Sequence, residues 1–156
     1  MPVASSQSPT SNGLFRLSQN IRVFVARWVF PISSPPIARG WVSLDGDRVL
    51  QVGSGSVPDD AEDLGDAVLL PGLVNAHTHL EFSDLTSPIG EPGIRLADWI
   101  GQVVGARYGA TPESKLAAIQ SGVEELIDSG TRLAGEIATP PSDYSQASNR
   151  LTVVSF

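Results

Sequence analysis

From Leu69 to Glu81 the chain reads Leu-Leu-Pro-Gly-Leu-Val-Asn-Ala-His-Thr-His-Leu-Glu, an apolar run that closes on both of its histidines. A run of this kind bounded by turn residues reads as a buried strand, and a buried strand requires cover on both faces. Side chains alternate along a strand, so His77 and His79 point the same way, with their backbones roughly 6 to 7 Å apart at about 3.3 Å per residue. Leu73 and Asn75 share that face, while Val74, Ala76 and Thr78 take the other. Two imidazoles so placed can lean onto one ion. Neutral imidazole suits zinc, iron, nickel or copper better than magnesium or calcium. A His-x-His pair is also compatible with a polar strand end whose rings are merely hydrogen-bonded. The setting favours ligation, because a Pro-Gly lead and an apolar stretch precede the pair and a Glu and a Pro/Gly-rich loop follow it.

The chain has 156 residues, enough for one ordinary domain or for a small domain and part of a larger one. Its net charge of -7 argues against nucleic acid or an anionic membrane as partner. The nine arginines are scattered and Lys115 is the only lysine, so no basic patch offsets that charge. The acidic run Asp59, Asp60, Glu62, Asp63 and Asp66 reads as a solvated loop, its spacing fitting no EF-hand. Cysteine is absent, which removes disulfides, thiolate nucleophiles and cysteine-ligated zinc, and fits a cytoplasmic protein. Residues 1–19 are rich in Ser, Pro, Asn and Gln and read as a flexible tail rather than a signal peptide. No apolar run reaches the ~18 residues of a transmembrane helix.

From Ile21 to Val52 the pattern is short apolar runs separated by turn residues. Ile21 to Phe30 is rich in Val, Phe and Trp, Pro31 to Pro36 breaks it, and Ala38 to Leu44 resumes. Asp45-Gly46-Asp47 then turns the chain into Arg48 to Val52, a strong hairpin signal. A small antiparallel sheet is the expectation here. After residue 80 the period becomes helical. Leu96, Trp99, Ile100, Val103 and Val104 space as one face of a helix within Ile94 to Tyr108, where Trp99 is read as a packing aromatic. Thr111-Pro112-Glu113 supplies an N-cap, a proline at the first helical position and an acid in the first turn. Leu116, Ile119, Val123, Leu126 and Ile127 line that second helix, and Gly130 ends it. Thr131 to Ala138 reads as a strand, Thr139 to Asn149 as a polar loop and Leu151 to Phe156 as another strand. This order of elements predicts the opening of a parallel α/β unit that looks cut short.

Pro71-Gly72-Leu73-Val74-Asn75-Ala76-His77-Thr78-His79-Leu80 resembles the first-strand signature of the amidohydrolase superfamily, in its cytosine deaminase, chlorohydrolase and aminohydrolase branch. Leu96-Ala97-Asp98-Trp99-Ile100 is similar to the segment opening the first barrel helix, and Ser129-Gly130-Thr131 to the turn into the second barrel strand. The resemblance implies an α/β fold in which residues 71–156 begin a (β/α)₈ TIM-type barrel. Residues 20–70 would then belong to a small antiparallel β-sandwich segment. It also implies one divalent metal ion, zinc or iron, with His77 and His79 as ligands at the carboxyl end of the first barrel strand, where such barrels build their sites. The activity implied is hydrolysis of a carbon-nitrogen bond, a deamination of a small heterocyclic substrate by metal-activated water, in a protein whose complete form can be a homo-oligomer.

Two histidines fall short of the three protein ligands a catalytic zinc site usually takes. Glu81, Asp84 and Glu136 are the carboxylates considered as a third ligand, and Glu81 is also considered as a substrate-binding residue at the site mouth. Lys115 falls in the second predicted helix and is not read as a carbamylated metal bridge. The family's further ligands and proton-shuttling glutamate have no counterpart here, so the isolated chain is expected to be inactive, the alternative being a non-catalytic metal-binding or structural fragment.

Overall fold

Alternation of Arg, Val, Phe and Val sends Val23 and Val25 inward from the first strand, β1 (Ile21–Val25). The computed structural model describes residues 21–156, so the expected tail at 1–19 lies outside the described residues. These residues divide between Pro71 and Gly72 into two units, each taken by itself. In the first unit β1 pairs antiparallel with β4 (Trp41–Asp45), which returns as β5 (Arg48–Gly53). Gly46 makes the hairpin at φ 60°, a left-handed conformation that residues with a Cβ adopt only at a steric cost.

Two expectations for this unit need correction. The stretch from Ile21 to Phe30 is not one strand: it breaks at Ala26-Arg27, and β2 (Trp28–Val29) joins a second sheet between β3 (Ile37–Ala38) and β7 (Val68–Leu69). Antiparallel pairing holds within residues 21–52, where β1 meets β4, β4 meets β5 and β2 meets β3, but not over the whole of 20–70, since β2 runs parallel to β7, and β1 runs parallel to β6 (Glu62–Asp63). The acidic run therefore contributes an edge strand as well as loop. Its backbone pairs while its side chains stay in water, which is how a charged dipeptide can occupy a sheet edge. Glu62 meets Arg22 at 2.9 Å and Asp66 meets Arg27 at 2.6 Å, both pairs exposed.

The second unit is the mixed α/β part. It runs β8 (Leu73–Thr78), a 3₁₀ turn (Leu80–Phe82), α1 (Leu96–Arg107), α2 (Pro112–Asp128), β9 (Thr131–Glu136) and β10 (Thr152–Ser155). The three strands form a parallel sheet in the order β10-β9-β8. At the start of α2 the Thr111 hydroxyl accepts the Ser114 N–H at 3.2 Å, and after it Gly130 takes φ 86°. Ile119, Val123 and Ile127 face inward from α2 and pack with Leu80, Ala134, Ala147 and Leu151. Gly122 lets the helix lie directly on the 3₁₀ turn: a Cβ there would sit 2.2 Å from Ser83 Oγ and 2.9 Å from a Leu80 methyl. The predicted polar loop after β9 carries a further 3₁₀ turn (Ser145–Ala147), which buries Ala147.

Helix α1 departs from expectation in its packing. It forms where the period places it, yet none of its residues is buried, and Leu96, Trp99, Ile100 and Val104 are exposed. Periodicity reports that a helix is amphipathic; it does not supply the surface that covers its apolar stripe.

Candidate metal centre

Strand β8 does not deliver the histidines as a straight ribbon. Asn75 lies opposite Ala134 and Thr78 opposite Glu136, so three steps on β8 match two on β9 and the chain bulges at Ala76-His77. Asn75 Oδ1 accepts the His77 N–H at 3.2 Å and closes the bulge locally. Gly135 makes room for it, because a Cβ at that position would fall 2.5 Å from the Ala76 carbonyl oxygen. The two imidazoles meet edge to face, with ring centroids 5.2 Å apart and planes inclined by 68°. They stand together on one side, as strand alternation predicts.

Their surroundings differ. His77 is exposed, while His79 is partly buried with Phe82 packed 5.9 Å away. Burial holds the His79 ring below its ordinary pKa, helped by the neighbouring His77 and the Arg107 guanidinium and opposed by a hydrogen bond to the Ile137 backbone. The ring is thereby kept neutral near pH 7, the form that ligates metals. Its Nδ1 is buried and has no hydrogen-bond partner among the described residues. A buried, neutral nitrogen without a partner beside a second imidazole fits half of a transition-metal site. No group of three potential ligands forms among the described residues.

The carboxylates considered from sequence are placed elsewhere. Glu81 is buried in the 3₁₀ turn, and its carboxylate is engaged by Arg107 at the end of α1, Lys115 in α2 at 3.1 Å, and the Thr139 hydroxyl. Lys115 Nζ also donates to Thr139 Oγ1 at 2.6 Å and to the Pro140 carbonyl at 2.9 Å, tying α2 to the loop after β9. Glu136, at the end of β9, is almost fully buried and accepts the Leu80 N–H with both oxygens, at 3.0 and 3.1 Å. Burial raises its carboxyl pKa, and the Leu80 N–H opposes that rise. Asp84 is exposed beyond the 3₁₀ turn. Sequence reasoning passed over Arg107 and Thr139, which share Glu81 but lie 26 and 58 positions from it, with no local pattern to flag them.

Trp99 lies against the loop that precedes α1, next to Gly90. Its indole N–H donates to the Ile89 carbonyl at 3.0 Å, and it is 39% exposed.

A sequence model of the amidohydrolase family matches residues 68–153, a span that includes the histidine strand, both helices and β9. The chain belongs to the amidohydrolase family. This amidohydrolase is similar to a 5-methylthioadenosine/S-adenosylhomocysteine deaminase of Moorella thermoacetica, 35% identical over 115 residues that cover 64% of the chain and 26% of the relative. The enzyme of that name from Bacillus anthracis is 31% identical over 110 residues, covering 67% of the chain and 25% of the relative. The chain thus spans about a quarter of the length of the curated relatives it matches. Among solved structures, guanine deaminase from C. acetobutylicum with bound guanine superposes with a TM-score of 0.61 at 15% identity, over 77% of the amidohydrolase chain and 30% of the neighbour. Atrazine chlorohydrolase from Arthrobacter aurescens complexed with zinc gives 0.59 at 19% identity, over 73% and 28%. The fold is therefore one shared with deaminases and chlorohydrolases.

Proposed function

We propose that this chain supplies the first-strand ligands of a metal-dependent amidohydrolase that hydrolyses a carbon-nitrogen bond of a small heterocycle, releasing its amino group. The observation that carries the reading is the His77/His79 pair at the end of a parallel strand, with a buried, neutral and unpartnered Nδ1 on His79. On this reading residues 71–156 begin a (β/α)₈ barrel, and the strand end is its catalytic end. The deaminase names of the relatives support an amino leaving group, and zinc in the chlorohydrolase neighbour supports zinc as the metal.

His77 and His79 would hold a divalent ion, which when bound would acidify water and so make a nucleophile available near neutral pH. The chain's own residues prepare for that. His79 stays unprotonated through burial, its ring lies edge to face with that of His77, and Glu136 fixes the Leu80 amide that follows the second ligand. Glu81, rather than meeting substrate, anchors the same turn to both helices through Arg107 and Lys115. Because two ligands are fewer than a catalytic zinc site takes, the 156-residue chain alone binds metal without turnover.

Zinc titration of the purified chain, followed by elemental analysis after desalting, tests the reading. The expected result is one ion per chain, lost in His77→Ala and in His79→Ala. Unchanged uptake in both variants, or no uptake by the native chain, would falsify it.

A further inference from the structure

The backbone holds the two histidines unequally. Asn75 and Thr78 have registered partners on β9, in Ala134 and Glu136, whereas Ala76 and His77 fall in the bulge between them. At His77 the backbone N–H is met by the Asn75 side chain, a local and exposed contact of 3.2 Å. At His79 the grip comes from the end of β9. The Ile137 N–H donates to the Thr78 carbonyl at 2.9 Å on one side of His79, and on the other the Leu80 N–H donates to both Glu136 oxygens, at 3.0 and 3.1 Å. The His79 carbonyl accepts the Phe82 N–H at 3.1 Å, and the Thr139 hydroxyl donates to the Glu81 carboxylate. The stretch from Glu136 to Thr139 thus fastens Thr78, Leu80 and Glu81, and His79 sits between two fixed peptides.

Glu136 is a costly residue for that task. It is 1% exposed, and no cation pairs with it among the described residues. A buried carboxylate without a counter-charge is unfavourable, and one backbone N–H offsets only part of that cost. A side chain that merely filled the space would be apolar. What the carboxylate adds is a pair of acceptors turned squarely on the amide that follows His79, and metal ligands are oriented by hydrogen bonds of this outer kind.

We propose that Glu136 is a positioning residue for the metal pair: through the Leu80 amide it fixes the backbone of His79, which becomes the pre-set ligand, and His77, in the bulge, is the ligand that adjusts to the ion. The proposal rests on the reading of His77 and His79 as metal ligands.

The test uses the 156-residue chain and zinc. In the metal-free native chain, carbon relaxation by NMR is expected to report an ordered His79 ring and a more mobile His77 ring, with the Leu80 amide proton shifted downfield and slow to exchange. Glu136→Leu, which fills the space without an acceptor, makes the His79 ring as mobile as that of His77 and raises the zinc dissociation constant about tenfold, the scale on which loss of an orienting partner acts. Glu136→Gln keeps the reach and one acceptor oxygen, and retains most of the affinity and of the ring order. Thr111→Ala, which removes the α2 cap, leaves both readouts unchanged and so separates lost stability from lost positioning. If Glu136→Leu does not fold, the native chain decides: equally ordered rings, or an unshifted and rapidly exchanging Leu80 amide, overturn the proposal. Equal zinc affinity in native chain and Glu136→Leu overturns it too, as does a loss in Glu136→Gln as large as in Glu136→Leu, which would make Glu136 a ligand or a charge rather than an anchor. Absence of zinc uptake by a native chain with the expected ring order overturns the metal reading and leaves the ordering of His79 by Glu136 standing.

Discussion

His79 is half-buried, flanked by a second imidazole and an arginine, and each of these surroundings opposes a proton on its ring. Its folded pKa therefore lies below 6.5, and the unfolded chain binds the extra proton first as pH falls. The stability this residue contributes is present above 6.5 and is lost as pH falls from there through the folded value. Ring proton shifts of His79 should accordingly titrate with a midpoint below 6.5; a midpoint above it contradicts the burial described. Glu136 has the opposite sign. Its folded pKa is raised above 4.5, so its contribution is full below that pH and declines as pH rises through the folded value. Thermal melts of Glu136→Gln should lack the part of the native chain's pH dependence that begins just above 4.5, and identical profiles for the two would refute the assignment.

Among the elements, α2 carries the core of the second unit and its sequence announces it plainly. Thr111, Pro112 and Gly130 bracket it, and Ile119, Val123 and Ile127 are both the predicted stripe and the buried one. Ile119→Ala should cost about 3 kcal/mol by denaturant melts and Thr111→Ala about 1 kcal/mol, the first creating a cavity and the second losing a cap. Gly122→Ala is a sharper test, because alanine raises helix propensity by about 1 kcal/mol while its methyl collides with Ser83 and Leu80. Net destabilisation is expected; a more stable variant would mean that α2 does not rest on the 3₁₀ turn. Such contacts were not legible beforehand. A glycine inside a helix pattern looks like a weakness until the turn beneath it is seen, and Gly135 gives no sign in sequence that it accommodates a bulge at Ala76, on the far side of both helices in the chain. The alternation that places His77 and His79 on one side is local and could be read; the sheet change at Ala26-Arg27 and the edge pairing of Glu62-Asp63 depend on partners far along the chain and could not.

At the scale of the second unit taken as a whole, the parallel sheet ends, among the described residues, on β8 at one edge and β10 at the other, and Leu73, Val74, Leu133, Val154 and Phe156 are exposed. Unpaired strand edges next to apolar surface drive association. Sedimentation velocity should therefore show species heavier than 16.4 kDa that grow with chain concentration, and a monomer across the micromolar range would count against it. The family and the paired histidines were legible at this scale because they sit in ten consecutive residues. The Glu81 network was not, since it draws on two helices and a loop.

That network has an evolutionary corollary. Arg107 and Lys115 converge on a single buried acid, so a lineage that loses Glu81 is left with two cations facing each other in a poorly solvated corner. Such a change can persist only if one of the cations is lost with it. Across relatives of this chain, position 81 should therefore change in step with 107 or 115, and an acid-free sequence that retains both cations should be scarce.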